Sequence, residues 1–181
     1  MKLGIYIGSF NPPHNGHIDV VKYLLNNNVV DNILIVPTLS YWNKKDLIDI
    51  KDRINMLKIF ENDNIHIYNV NNNFKYTYEL MRRLSKEYIN DELYLIIGAD
   101  NIINFNKWKN YKELLKYKII VMNRNNIDIY KYIEKYNSNN FIVLKDYPSI
   151  NISSSVIRSN LTCNQLDKRV LDYIKKNNLY K

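Results

Sequence analysis

The sequence predicts an α/β fold, a doubly wound parallel sheet with helices on both faces. Short β-branched runs alternate with segments of helical period along the chain. This alternation is typical of a parallel sheet that helices cover on both sides. No repeat, low-complexity linker or break in composition indicates a second domain. The prediction is therefore a single Rossmann-like domain over residues 1–181.

Each predicted element comes from its apolar period. The strand candidates are Leu3–Gly8, Asn32–Pro37, Ile65–Val70, Leu93–Gly98, Lys118–Asn123 and Phe141–Leu144. The helical stripes are Ile18, Val21 and Leu25; Ile54, Leu57 and Phe60; Leu80, Leu84 and Tyr88; and, closing the chain, Leu166, Val170 and Ile174. In such sheets, ligands bind beyond the carboxyl ends of the strands, where the strand order reverses.

Composition narrows the class of protein. Apolar residues make up 46% and charged residues 24%, which is ordinary for a globular protein in water. The one cysteine, Cys163, excludes an internal disulfide and a cysteine-based zinc site, so we expect a reduced, cytoplasmic setting. No run approaches the ~18 apolar residues that span a bilayer, so we expect no membrane partner. The net charge of +8 is scattered, which indicates attraction for polyphosphates rather than a nucleic-acid stripe. No heptad repeat specifies an oligomer, and a homo-oligomer is left open.

The most informative segment follows the first predicted strand and precedes the first predicted helix. It reads Gly8-Ser9-Phe10-Asn11-Pro12-Pro13-His14-Asn15-Gly16-His17. Backbone N–H groups at a helix start attract anions, and two imidazoles can donate to the same place. Glycine allows close backbone approach. We expect a phosphate site that includes Gly8, Ser9, Phe10 and Gly16 around His14 and His17.

A second candidate phosphate segment is Ile152-Ser153-Ser154-Ser155-Val156-Ile157-Arg158. A serine before an apolar helix is commonly just a cap. Here hydroxyl groups of Ser154 and Ser155 accompany a guanidinium one turn later, which suits a polyphosphate.

Three further segments carry weaker signals. Gly98-Ala99-Asp100 ends a strand, where Asp100 is placed to bind a ribose hydroxyl. Trp108 lies among polar residues, which indicates a partly exposed ring that could stack on a base. Thr77 and Tyr78 open a helix that suits a small carboxylate. Lys44 lies in a polar loop after the second strand, where simple solvation is nearly as reasonable as phosphate contact.

Together these segments resemble the bacterial nicotinate-nucleotide adenylyltransferases, members of the H-x-G-H nucleotidyltransferase superfamily. Gly98-Ala99-Asp100 with Trp108-Lys109 looks like the G-A-D…W-K segment of that family, and the end from Val170 to Tyr180 is similar to its tail. The resemblance implies that His14 and His17 contact ATP phosphates, with Lys44, Ser155 and Arg158 on the β- and γ-phosphates. It also implies that Trp108 stacks on the pyridine ring and Thr77 receives the nicotinate carboxylate.

The chain departs from the family pattern in three places. Ile7 stands where the family usually has a glycine, and Asn11 takes the usual aspartate position. The family's P-P-H-K element is replaced by Tyr41-Trp42-Asn43-Lys44, which leaves the phosphate lysine open between Lys44 and Lys45.

The function that the resemblance implies is NAD biosynthesis. ATP and nicotinic acid mononucleotide would give nicotinic acid adenine dinucleotide and pyrophosphate, with Mg²⁺ carried mainly by the ATP phosphates and no metal site of the protein's own. The alternatives are another nucleotidyl transfer (to nicotinamide mononucleotide, to phosphopantetheine, or of a cytidylyl group) and a nucleotide-binding protein without catalysis.

Overall fold

The structure, a computed structural model, describes residues 1–39, 47–69, 74–124, 126–144, 147–148, 152–159, 161 and 163–181. Its strands are β1 (Lys2–Gly8), β2 (Asn32–Pro37), β3 (Ile65–Ile67), β4 (Glu92–Gly98), β5 (Lys118–Met122) and β6 (Phe141–Val143). Its helices are α1 (Asn15–Asn26), α2 (Ile50–Lys58), α3 (Thr77–Glu87), α4 (Ala99–Ile102), α5 (Tyr111–Leu114), α6 (Ile129–Ile133), α7 (Ser154–Ser159) and α8 (Lys168–Lys176). Among the described residues, no helix is both long and apolar enough to cross a bilayer.

The six strands form one parallel sheet in the order β3-β2-β1-β4-β5-β6. The chain first builds outward from β1 to β3, then returns to β4 on the other side of β1. The strand order therefore reverses between β1 and β4, which is where a doubly wound sheet binds its ligands. This confirms the predicted fold class.

Helices cover both faces of the sheet because side chains alternate along each strand. On β4, Leu93, Leu95 and Ile97 pack into one cluster with α3, whereas Tyr94 and Ile96 pack into the other with α1. We call these the α3-side core and the α1-side core. A third cluster joins α8 to α2 and α7 through Val170, Ile174, Met56 and Ile157.

The observed boundaries differ from the predicted ones by a few residues. β3 ends at Ile67, although the Tyr68 N–H still donates to the Ile35 carbonyl at 2.9 Å, and the predicted end at Val70 lies outside the described residues. α8 begins at Lys168, after the first predicted stripe residue, because the Asp167 carboxylate caps it by accepting the Arg169 N–H. Capping chemistry, rather than the apolar period, sets this helix start.

Candidate active site

The loop from β1 to α1 lies at the switch point and is built around a buried phenylalanine. Phe10 has a φ of 45°, and its side chain is only 1% exposed. Its ring packs edge-on against Tyr6 and His17, with centroids 5.4 Å and 4.9 Å away. A Cβ at Gly8 would lie 3.0 Å from the Phe10 ring, so this ring occupies the space that glycine leaves. The sequence predicts both residues as part of the phosphate site, and the structure shows in addition that the Phe10 ring, packed beside Gly8, shapes the loop.

The two imidazoles stack on each other at the start of α1. Their centroids lie 3.6 Å apart with ring planes 24° from parallel. The His14 backbone N–H donates to His17 Nδ1 at 3.2 Å, so a neutral His17 carries its proton on Nε2. His14 is 3% exposed, and its Nδ1 is buried without a hydrogen-bond partner among the described residues. An unpaired buried polar atom is costly, and a ligand donor or acceptor would relieve that cost.

Both imidazoles are neutral at physiological pH. Burial, reinforced by the positive charge of Arg124, lowers the pKa of His14 to about 4. Burial, the neighbouring His14 and Arg124 together hold the pKa of His17 well below its usual value. Each ring therefore offers one N–H donor and no net charge, and a bound polyphosphate would favour protonation.

Arg124 is a cation at the candidate site that the sequence analysis did not single out. It follows β5, whose Met122 pairs in register with Gly98 of β4. The Arg124 Nη1 lies 3.6 Å from Asp100 Oδ2, and its Nη2 donates to the Ile152 carbonyl at 3.4 Å. The signal available in the sequence was its place directly after a predicted strand, at the edge where the other candidates gather.

Asp100 is held close to its own strand end. A Cβ at Gly98 would collide with Asp100 Oδ1, so a larger residue there would require the carboxylate to move. That oxygen is buried and has no hydrogen-bond partner among the described residues. Gly98 therefore makes room for the carboxylate in its present position.

Helix α7 joins the same site from the far end of the chain. Arg158 Nη1 donates to the Asn11 carbonyl at 2.8 Å, and Ser154 Oγ donates to the Pro12 carbonyl at 3.1 Å. Arg158 Nη2 also lies 3.4 Å from the exposed Ser155 hydroxyl. The structure thus brings the predicted guanidinium to the histidine loop across 147 residues.

Asn11, in the position where the family usually has aspartate, lies buried at the centre of the loop. Its side-chain oxygen accepts the Ile48 N–H at 3.3 Å and the Tyr180 hydroxyl at 2.8 Å. Beside it, the buried Arg53 donates to the Ser9 and Thr38 carbonyls at 2.8 Å and 2.7 Å. The loop is therefore held by donors from other elements.

The other predicted binding residues lie on the α3-side core. Tyr78 and Trp108 are half-buried against it, as is Ile7, which stands in the family's glycine position. Thr77 is the first residue of α3, and the Glu79 carboxylate already accepts the Lys75 and Tyr76 N–H groups at 2.8 Å and 3.1 Å. These bonds, the Lys75 one foremost, lower the pKa of Glu79. Any carboxylate at this helix start must use the N–H groups that remain.

Two surface concavities are formed by the described residues. One of about 420 Å³ is lined by Asn110 to Glu113, a segment that begins two residues after Trp108. Another of about 240 Å³ lies at the ends of β5 and β6, and Asn123, Tyr130 and Leu144 are among its lining residues. The predicted Lys44, and Lys45 beside it, lie outside the described residues. Among the described residues, no group of three or more His, Cys, Asp or Glu side chains could hold a metal ion.

Comparison with known proteins decides the family. The cytidylyltransferase-like family model matches residues 5–160. A relative from Acholeplasma laidlawii, named probable nicotinate-nucleotide adenylyltransferase, is 37% identical over 97% of this chain and 96% of its own. A protein of the same name from Borreliella burgdorferi is 34% identical over 99% and 97%.

The chain belongs to the nicotinate-nucleotide adenylyltransferase family. This confirms the resemblance drawn from the sequence, the enzyme class of nucleotidyltransferase and the assignment to NAD biosynthesis. Among solved structures, the nicotinic acid mononucleotide adenylyltransferase of Plasmodium falciparum in complex with NaAD has a TM-score of 0.82 at 24% identity, covering 99% of this chain and 97% of its own. That likeness confirms the fold.

Proposed function

We propose that this nicotinate-nucleotide adenylyltransferase joins ATP to nicotinic acid mononucleotide at the β1–α1 loop. The observation that carries the proposal is the bond from Arg158 to the Asn11 carbonyl, which attaches a guanidinium to the loop that carries the two histidines. A guanidinium, two imidazole N–H donors and a helix start are a suitable set for a triphosphate. Relatives with this name over nearly the whole chain length support the choice of acceptor.

The reaction needs little from the protein besides position and charge. A phosphate oxygen of the mononucleotide attacks the α-phosphorus of ATP, the bond from that phosphorus to the bridging oxygen breaks, and pyrophosphate leaves. The second pKa of a phosphate monoester is near 6, so the nucleophile is already ionised at neutral pH. No general base is required, and catalysis rests on alignment and neutralisation of charge.

His17 acts on the α-phosphate. Its Nδ1 is occupied by the His14 backbone N–H, so its Nε2–H is the donor that faces the ligand. A neutral donor fixed before the substrate arrives needs no reorganisation during the reaction. His14, Arg158 and Ser155 then hold the β- and γ-phosphates, and Arg124 adds charge from the β5 side.

We expect Mg²⁺ to be carried mainly by the ATP phosphates. Asp100 Oδ1, which has no hydrogen-bond partner among the described residues, would suit either that cation or a ribose hydroxyl. A bound cation would offset negative charge on the pyrophosphate.

The mononucleotide binds on the α3 side of the same edge. Trp108 stacks on the pyridine ring, and Thr77 and Tyr78 present the start of α3 to the nicotinate carboxylate. The backbone N–H groups at this helix start carry partial positive charge, so they favour the nicotinate carboxylate over the neutral amide of nicotinamide mononucleotide.

A panel assay tests this proposal. Purified protein with Mg²⁺ is given ATP or CTP and one acceptor at a time: nicotinic acid mononucleotide, nicotinamide mononucleotide or 4′-phosphopantetheine. Release of pyrophosphate is measured. We expect the highest kcat/KM with ATP and nicotinic acid mononucleotide. A preference for another pair would reassign the substrate, and binding of ATP without any product would reassign the protein to a non-catalytic role.

A further inference from the structure

The end of the chain reaches back to the phosphate loop. After α8, Asn178 and Tyr180 adopt φ values of 55° and 60°, and the Leu179 N–H donates to the Ile174 carbonyl at 3.1 Å. This turn directs the Tyr180 hydroxyl to Asn11, where it donates to Oδ1 at 2.8 Å across 169 residues. A left-handed backbone is unusual for tyrosine, so packing must hold this turn in place.

Asn11 connects the tail to the groups that meet the ligand. Its side-chain oxygen receives Tyr180 and the Ile48 N–H, while its backbone carbonyl receives Arg158 Nη1 at 2.8 Å. His14 lies three residues later in the same loop. Any shift of Asn11 therefore moves the acceptor that orients Arg158 and the segment that carries His14.

The Tyr180 hydroxyl is suited to a permanent donor role. Burial is the main cause that raises its pKa above the usual tyrosine value, so the proton stays on the oxygen across the physiological range. The Tyr180 side chain also packs against the third hydrophobic cluster, which joins α8 to α2 and α7. This packing fixes the position from which the hydroxyl donates.

We propose that Tyr180 is a positioning residue, whose hydroxyl bond to Asn11 Oδ1 holds the β1–α1 loop in the geometry that aligns Arg158 and His14 on the triphosphate. This rests on the proposed function of that loop. The tail thus forms part of the nucleotide site rather than serving only to close the core.

Helix α8, which precedes the tail, provides a matched control. Tyr173 of α8 donates its hydroxyl to Asp52 Oδ1 at 2.8 Å and accepts from Asn55 Nδ2 at 3.0 Å. These bonds join α8 to α2 and do not involve the β1–α1 loop. Tyr173→Phe therefore removes a hydrogen-bonded hydroxyl from the same region without touching Asn11.

The first experiment compares Tyr180→Phe with Tyr173→Phe by kcat, by KM for each substrate and by Tm. Both changes should lower Tm slightly. Tyr180→Phe should lower kcat/KM for ATP about tenfold, as expected for one buried hydrogen bond, with KM for the mononucleotide unchanged. Tyr173→Phe should stay within about twofold of wild type. Equal losses in both variants, or a lower Tm with wild-type kinetics in Tyr180→Phe, would reduce Tyr180 to a structural anchor.

A double-mutant cycle with Asn11→Ala tests the route of the effect. If Tyr180 acts through Asn11, the double variant loses no more kcat/KM than Asn11→Ala alone. Losses that multiply would overturn the proposed route.

Calorimetry of Mg²⁺–ATP binding separates this inference from the proposed function. If the wild type binds ATP but releases no pyrophosphate, the proposed function fails, and the Kd then decides the role of Tyr180. A weaker Kd in Tyr180→Phe but not in Tyr173→Phe supports positioning, whereas equal Kd values contradict it.

Discussion

Two stacked, neutral imidazoles define the site at the scale of single residues. Their state follows from burial and from Arg124, a cation whose position the neighbouring strands determine. The His14 N–H selects the tautomer of His17, so a backbone bond inside the loop decides which nitrogen of the neutral ring carries the proton. The chemistry of this pair therefore depends on groups that the H-x-G-H pattern does not contain.

Removal of the His17 ring should impair turnover and leave the fold intact. We expect His17→Ala to lower kcat by about 10²–10³, because one preorganised donor to the reacting phosphate is lost. Steady-state pyrophosphate release measures kcat, and circular dichroism checks the fold. Turnover close to wild type would remove His17 from its assigned role.

Acid should destabilise the protein through His14. An unfolded histidine takes up a proton near pH 6.5, whereas folded His14 resists protonation until about pH 4. The unfolded state therefore binds more protons between these values, and the free energy of unfolding falls as the pH decreases from 6.5 to 4.

Through His14, the free energy of unfolding should fall by up to about 3 kcal/mol between pH 6.5 and 4. Urea denaturation at several pH values measures it, and His14→Gln, which does not titrate, should show a shallower decline. Identical pH profiles for the two proteins would rule out His14 as the cause.

Among the helices, α7 holds the β1–α1 loop in place through side-chain hydrogen bonds. It is short, and two bonds from Ser154 and Arg158 to successive loop carbonyls fix its position against the end of β1. Because both acceptors are backbone atoms, the contact depends on the loop path rather than on its side chains. This explains why Asn11 can replace aspartate while α7 still docks.

The guanidinium shape of Arg158 should matter as much as its charge. Arg158→Lys keeps the positive charge but loses the planar guanidinium. One N–H of that group donates to the Asn11 carbonyl, which leaves other N–H groups for the ligand. We expect a fall in kcat/KM for ATP on the order of 10². Arg169→Lys is the control, since Arg169 is exposed and paired with Asp167 away from the loop. A similar small effect in both variants would contradict the assignment.

The sheet separates the α1-side core on one face from the α3-side core on the other. Both faces border the carboxyl ends of β1 and β4. His17 packs edge-on against Phe10 of the α1-side core, whereas Tyr78 and Trp108 pack on the α3-side core. The strand order reverses between β1 and β4, which is where a doubly wound sheet binds its ligands. Under the proposed function, each substrate would bind on its own side and the two would react at this switch point.

This division predicts separate effects on the two substrates. Trp108→Ala should raise KM for the mononucleotide about tenfold through loss of stacking, with KM for ATP unchanged. Tyr111→Leu is the control, since Tyr111 lies three residues after Trp108 and is also half-buried. Equal changes in both KM values would mean that Trp108 supports the fold rather than the acceptor.

The α/β class, the six strands, the histidine loop and the serine–arginine segment could all be predicted from the amino-acid sequence, because apolar period and motif spacing are local properties. The surroundings of these segments became known from the folded chain. Arg124 joins the site because β5 pairs with β4, Phe10 turns into the core because Gly8 leaves it room, and Tyr180 reaches Asn11 because α8 packs on α2. Each of these contacts joins residues through packing and strand order, which no local pattern in the chain records.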